Sequence, residues 1–158
     1  TVSASWQERP FPQTAVAEFH KAFGHPIGQA YTDKSLEFRF DLLEEEFIEL
    51  TVEMNNMRKE LKEYGKCFPS SIADMLKEMA DLQYVLSGLA VTFDLPLEVA
   101  FTRVHNSNMS KLDEDGKPVL RADGKILKGP NYEAPFMVDL VVGTEEAKQR
   151  SSIYGKTK

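Results

Sequence analysis

Between residues 36 and 61 the apolar positions Leu36, Phe40, Leu43, Phe47, Leu50, Met54, Met57 and Leu61 alternate steps of four and three. That period belongs to one face of an amphipathic helix, and it predicts a long helix from Asp33 to Tyr64, stopped by Gly65. Upstream, "TAVAEFHKAFG" sets Val16, Phe19 and Phe23 at helical spacing, with Thr14 placed to cap and Gly24 to terminate. Downstream of the connector "GKCFPSS", the positions Ile72, Met75, Met79, Leu82, Leu86 and Leu89 predict a second long helix over Ser71 to Phe93. Ser71 and Asp74 are its candidate N-terminal cap. The sequence "DLP" restarts the chain as a fourth helix, Pro96 to Ser110, with proline in the first turn.

After Lys111 the pattern changes. Two Asp-Gly turns surround the β-prone pairs Val119-Leu120 and Ile126-Leu127, which predicts a short hairpin within residues 112–135. The expected architecture is therefore all-α: an antiparallel bundle of about four helices, two of them long, carrying a short C-terminal β-hairpin. An extended lead-in (1–13) precedes this helical domain (14–137), and a polar tail (138–158) follows it. No internal repeat is visible.

Composition narrows the function classes. A chain of 158 residues, 42% apolar and 28% charged, is the size and make-up of one globular domain. Its 25 acids against 19 bases, net charge -6, argue against a nucleic-acid-binding surface but leave room for a phosphate ligand held through metal. The single Cys67 allows no internal disulfide, and His20, His25 and His105 are too scattered to join it in a zinc site. No apolar run approaches the roughly 20 residues of a membrane span, and the first residues lack a signal-peptide layout. A cytoplasmic protein with no membrane partner is expected.

The acids are not evenly spread: Glu44, Glu45, Glu46, Glu49 and Glu53 fall within ten residues of the long helix. Glu46 and Glu49, three apart, share a helix face, and Glu78 and Asp81 in "KEMAD" repeat the step on the next helix. With Leu43, Phe47, Leu50 and Met54 as the seam between antiparallel helices, both pairs would border it and four carboxylates could converge. Glu44 would lie on the far flank, solvated. Converging acids raise each other's pKa unless a cation lies between them. Magnesium or manganese, which favour carboxylate and water oxygens, suits the set. A di-iron centre would want Glu-x-x-His, which neither helix has. A calcium loop at "DEDGK" fails too, because Lys111 and Ala122 fall where acids are required. The competing reading is a non-catalytic helical module whose acidic helix is simply solvated or binds a partner.

The residues also carry a resemblance. "EEFIE" (Glu45 to Glu49) and "EMAD" (Glu78 to Asp81), 28 residues apart, resemble the paired motifs of the MazG-like all-α nucleoside triphosphate pyrophosphohydrolase superfamily. "EFHKAFGHPI", "VHNSNMSKL" and "DGKILKGPNYEAP" resemble its phosphoribosyl-ATP pyrophosphohydrolase-like phage and bacterial branch, including phage enzymes of the MazZ type. About three quarters of the chain is covered. The resemblance implies hydrolysis between the α and β phosphates of a nucleoside triphosphate, with two or three Mg²⁺ or Mn²⁺ ions held by Glu46, Glu49, Glu78 and Asp81. Glu49, with Glu45 second, would orient or deprotonate the attacking water. Asn108 and Lys111 would contact sugar and phosphate, with Arg103, Lys125 and Lys128 as further phosphate contacts; some relatives carry a lysine where this chain has Val104. Phe19, His20, Phe23, Tyr84 and Trp6 are candidates for the base, against the alternative that aromatics at this spacing are core. The MazZ likeness inclines the substrate to a guanine-type nucleotide, with dUTP, dCTP and phosphoribosyl-ATP as alternatives. A homodimer or homotetramer is implied as well.

Overall fold

A computed structural model describes residues 11–142. The described residues divide into two compact units, the first ending at Asp94 and the second beginning at Leu95. Four helices form: α1 (Pro12–Phe23), α2 (Asp33–Tyr64), α3 (Pro69–Thr92) and α4 (Leu97–Met109). The all-α class is as the sequence implies, and no described helix is long and apolar enough to cross a membrane.

The ends of the helices follow local chemistry. α1 starts two residues before the expected Thr14 because Pro12, with its φ already helical, takes the first position. Thr32 caps α2 through a capping box: its Oγ1 accepts from the Ser35 N–H, and the Ser35 hydroxyl oxygen accepts from the Thr32 N–H, both at 3.1 Å. α3 also starts early, at Pro69, so Ser71 is not its cap. Instead Glu60 reaches across from α2, accepting the Phe68 N–H at 3.0 Å and the Ser71 hydroxyl.

Within residues 1–94, α2 and α3 lie antiparallel, and α1 rests on α3. The connector from α1 is pinned to the end of α3, where the Gly28 and Gln29 N–H groups donate to Val91 and Thr92 at 3.1 and 2.8 Å. Tyr31 stacks on Phe93 with ring centroids 4.5 Å apart. Val16, Ala90, Val91 and Phe93 are the buried apolar residues here.

The face that α2 turns to α3 is not the one its apolar stripe suggests. Phe47 and Met54, expected in the seam, are 57% and 49% exposed, and Leu36, Phe40 and Leu61 on the same stripe are also exposed. Leu43, Leu50 and Met57 are half-buried. The inward line instead includes Arg39, Glu46, Glu53 and Glu60, one heptad apart and all buried or half-buried. On α3, Glu78, Ser87 and Gly88 are buried, while Ile72, Met79 and Leu86, expected inward, are exposed. Polar groups take the intramolecular seam, and the longer apolar stripe faces outward.

In the second unit the expected hairpin does not form as a strand pair. Among the described residues only isolated antiparallel bridges appear, Leu112 with Pro118 and Leu120 with Ile126. Each β-prone piece is two residues long, and Pro118 has no N–H to extend a ladder. The turns close on themselves: Asp113 Oδ1 accepts from the Asp115 and Lys117 N–H groups at 2.9 and 2.7 Å. A short 3-10 turn follows at Val138–Leu140, inside what was expected to be tail.

Gly129 ties this loop region to the end of α4. Its N–H donates to the Lys111 carbonyl at 3.0 Å, and a Cβ there would lie 2.5 Å from that oxygen and 2.7 Å from the Leu112 oxygen. Backbone carbonyls cannot yield as a flexible side chain does. Gly129→Ala is expected to destabilise the chain by about 1–3 kcal/mol, the usual range for overpacking, read by urea denaturation. An unchanged midpoint would show that the crossing is looser than this.

Candidate active site

The antiparallel register sets residue against residue along the seam. Glu49 of α2 faces Glu78 of α3 within hydrogen-bonding range, and Glu46 lies in the field of Asp81, Glu49 and Glu78. One carboxylate oxygen from each of Glu46, Glu49 and Glu78 fits within a 4.8 Å sphere of mutual distances. The three-residue step on each helix aligns them, and the short turn at Gly65 brings the helices back-to-back.

Their electrostatics are those of a site short of positive charge. Burial, then the charges of Asp81, Glu49, Glu78 and Glu45, push the Glu46 carboxyl above its ordinary value. Glu49 is pushed up chiefly by its contact with Glu78, which exists as a hydrogen bond only while one of the two acids holds a proton. When both are ionised, the buried Glu78 Oε2 has no donor at all. Glu78 is 9% exposed, so water does not relieve it.

One cation does reach the cluster. Lys77 Nζ lies 3.0 Å from Glu78 Oε1 and 2.8 Å from Asp81 Oδ2, and these carboxylates raise its pKa further above the ordinary lysine value. Asp81, expected as a fourth ligand, is thus in the neighbourhood of Glu46 but held by Lys77. Glu45 contributes charge to the cluster, and Glu53 accepts from the Asn56 side chain at 3.3 Å. A hard divalent cation fits this donor set: three carboxylates from two helices, one with an orphaned buried oxygen, and no thiolate or imidazole among them.

The remaining candidates are placed as follows. Phe19 stacks on Phe23 (centroids 4.4 Å apart) and meets Tyr84 edge-on at 5.7 Å, forming an aromatic group between α1 and α3. His20 is buried, its Nδ1 2.7 Å from the Pro26 carbonyl, and burial is the largest cause of its lowered pKa. Trp6 lies outside the described residues. In the second unit Lys111 Nζ donates to Asn108 Oδ1 at 2.7 Å, and Lys128 Nζ sits 4.5 Å from the centre of the Tyr132 ring. Lys125 is exposed, its N–H donating to Asp123. Arg103 departs from expectation: Asp139 holds it with two bonds of 2.5 and 2.7 Å, and Phe136 takes a third, so its guanidinium is committed within its own unit. The sequence reading passed over Arg39, Glu60 and Lys77. The heptad step from Arg39 through Glu46 and Glu53 to Glu60 was the available signal for the first two.

The family model for phosphoribosyl-ATP pyrophosphohydrolase matches residues 16–108, more than half of the chain, and the chain belongs to that family. It is an enzyme, a hydrolase acting on phosphoric anhydrides. Among solved structures it is similar to a candidate NTP pyrophosphohydrolase from Exiguobacterium sp. 255-15, at 21% identity over 94% of this chain and 99% of that one, with a TM-score of 0.40. That likeness is too distant to carry an argument. No curated protein matches.

A carboxyl whose folded-state pKa is raised binds its proton more tightly in the folded chain. It therefore stabilises the fold at acid pH, and that stability is lost as pH rises from the ordinary carboxylate value through the folded one. Glu46→Gln is accordingly expected to raise the thermal midpoint at pH 7.5 in metal-free buffer, with the gain shrinking towards pH 4.5. A rise in midpoint on adding Mn²⁺ is expected for the unmodified protein if the carboxylates bind it, and Glu46→Gln should blunt that rise. A fall in midpoint at pH 7.5 would contradict the mutual repulsion described here.

Proposed function

We propose that the protein is a divalent-metal-dependent nucleoside triphosphate pyrophosphohydrolase that cleaves between the α and β phosphates, giving the monophosphate and pyrophosphate. The observation that carries this reading is the convergence of Glu46, Glu49 and Glu78 across the seam, with a buried Glu78 oxygen lacking a donor. Glu46, Glu49 and Glu78 would hold the metal, Mg²⁺ or Mn²⁺, joined by Asp81 once it releases Lys77; two or three ions is the number the resemblance implies. When bound, the metal supplies charge neutralisation for the triphosphate and a water of lowered pKa.

The chain's own groups do the rest. Glu49, the most exposed of the three and raised in basicity by its contact with Glu78, would take a proton from the attacking water, with Glu45 as second choice. Lys77 can pass from carboxylate to phosphate as the cluster fills. Asn108 and Lys111 would contact sugar and phosphate, and Lys125 and Lys128 the departing pyrophosphate. Phe19, His20 and Tyr84 line the side of α3 on which we place the base. A guanine-type (d)NTP is the favoured substrate. Phosphoribosyl-ATP is the second reading, favoured by the family to which the chain belongs.

The protein acts as a homodimer or homotetramer in this account. The outward apolar stripe of α2, with Phe40 60% and Phe47 57% exposed, supports it, because single chains rarely leave so continuous an apolar face in water. Light scattering should return at least twice the 17.9 kDa chain mass, and Phe47→Glu should shift it towards the monomer. A monomer at micromolar concentration would contradict the assembly.

Activity is tested by pyrophosphate release from a panel of ribo- and deoxynucleoside triphosphates and phosphoribosyl-ATP with Mg²⁺ or Mn²⁺. Turnover of at least one is expected, with Glu49→Gln lowering kcat by about 10²–10⁴-fold, the usual contribution of a general base. No pyrophosphate from any of them, or an active Glu49→Gln, would overturn the reading.

A further inference from the structure

One heptad from the carboxylates, on the same face of α2, Arg39 is 5% exposed. No carboxylate among the described residues pairs with it, its guanidinium carbon lies 5.3 Å from the centre of the Phe38 ring, and burial lowers its pKa. Its Nε and Nη2 are buried without a hydrogen-bond partner. Those two nitrogens form one edge of the guanidinium, the planar fork that grips a pair of neighbouring acceptors. Two orphaned N–H groups on a buried cation are expensive to keep, so the fork is shaped for something the chain itself does not provide.

Its position says what. The register that sets Glu46 against Asp81 sets Arg39 over Gly88, seven residues further along each helix. A Cβ on Gly88 would lie 3.2 Å from Arg39 Nη1 and 3.5 Å from His20 Nε2. A side chain there would press on the guanidinium, while glycine leaves it undisturbed. At 1.5 Å per residue the fork lies about 10 Å along α2 from Glu46. A nucleotide whose α-phosphate is held at the carboxylates spans that distance, and the buried surroundings of Gly88, with Val16 beside it, suit an uncharged flat base better than a hydrated polyphosphate.

We propose that Arg39 reads the base, its Nε–H and Nη2–H donating to O6 and N7 of a guanine-type purine. This rests on the nucleotide chemistry proposed above and narrows it. Guanine offers two neighbouring acceptors on that edge; adenine puts a donor at N6, and uracil and thymine offer O4 alone. Cytosine's neighbouring acceptors include O2 beside the glycosidic bond, on the short side of the base. His20 and Gly88 close over the guanidinium, so entry of the base would require α1 to move about the connector held at Gly28 and Gln29. α1 is a 12-residue helix joined to α2 by a turn-rich connector.

The test pairs turnover with equilibrium binding of products. In the unmodified enzyme dGTP and dITP should outrun dATP, dCTP and dUTP in kcat/KM, and 7-deaza-dGTP, which lacks the N7 acceptor, should fall about 10–100-fold below dGTP. Arg39→Lys keeps the charge and removes the fork. It should lose a similar factor on dGTP, respond little to the 7-deaza change, and leave the Mn²⁺-induced midpoint shift intact. Calorimetry with dGMP and dAMP should show the same selectivity without turnover. Selective dGMP binding with no hydrolysis would sink the proposed activity and keep this inference. Hydrolysis with equal loss on every base, or 7-deaza-dGTP as good as dGTP, would overturn the inference and keep the activity. An Arg39→Lys protein with altered mass and unaltered base preference would also overturn it, assigning the fork to a neighbouring copy.

Discussion

The α2–α3 seam is built on charge, and much else in the first unit follows from that. Arg39, Glu46, Glu53 and Glu60 recur every seven residues and turn inward, so each needs a polar partner close by. Glu60 is answered by the start of α3, through the Phe68 N–H and the Ser71 hydroxyl, which fixes how the two helices register. Glu53 is eased by Asn56 on its own helix. Glu46 meets further acids, and Arg39 meets a glycine and a histidine. One end of the seam is satisfied structurally; the other is left with excess negative charge at one point and an unanswered positive charge a heptad away. A phosphate-bearing ligand with metal at one end and an acceptor-rich base at the other complements both.

The same arrangement explains the outward apolar stripe. A helix that spends one face on carboxylates must find its hydrophobic contact elsewhere, and the face carrying Phe40, Phe47, Met54 and Leu61 is free to find it in another copy. Burying such a stripe would be worth about 25 cal/mol for each Å² removed from water, and in the proposed assembly that gain would offset what the like-charged groups subtract.

The four helices were legible because period and punctuation agree: Gly24 and Gly65 end helices where expected, and α2 has the predicted bounds. The carboxylates were legible as two three-residue steps. The phase of α2 was not, because apolar periodicity says which residues share a face and is silent on whether the chain's own helix or another copy covers it. The early start of α3 was hidden by a cap supplied from Glu60, distant in sequence. The hairpin failed because Asp-Gly turns mark a reversal without guaranteeing strands on either side, and here Pro118 and two-residue runs give no ladder. Arg103 read as a free cation because Asp139, its partner, is 36 residues away.

The central claim is that Glu46, Glu49 and Glu78 form a divalent-metal site. Anomalous diffraction from crystals of the protein grown with Mn²⁺ addresses it directly. The account predicts a manganese peak within coordinating distance of all three carboxylates, with Glu78 Oε2 among the ligands. Manganese bound elsewhere, with these three side chains still crowded and metal-free, would contradict it.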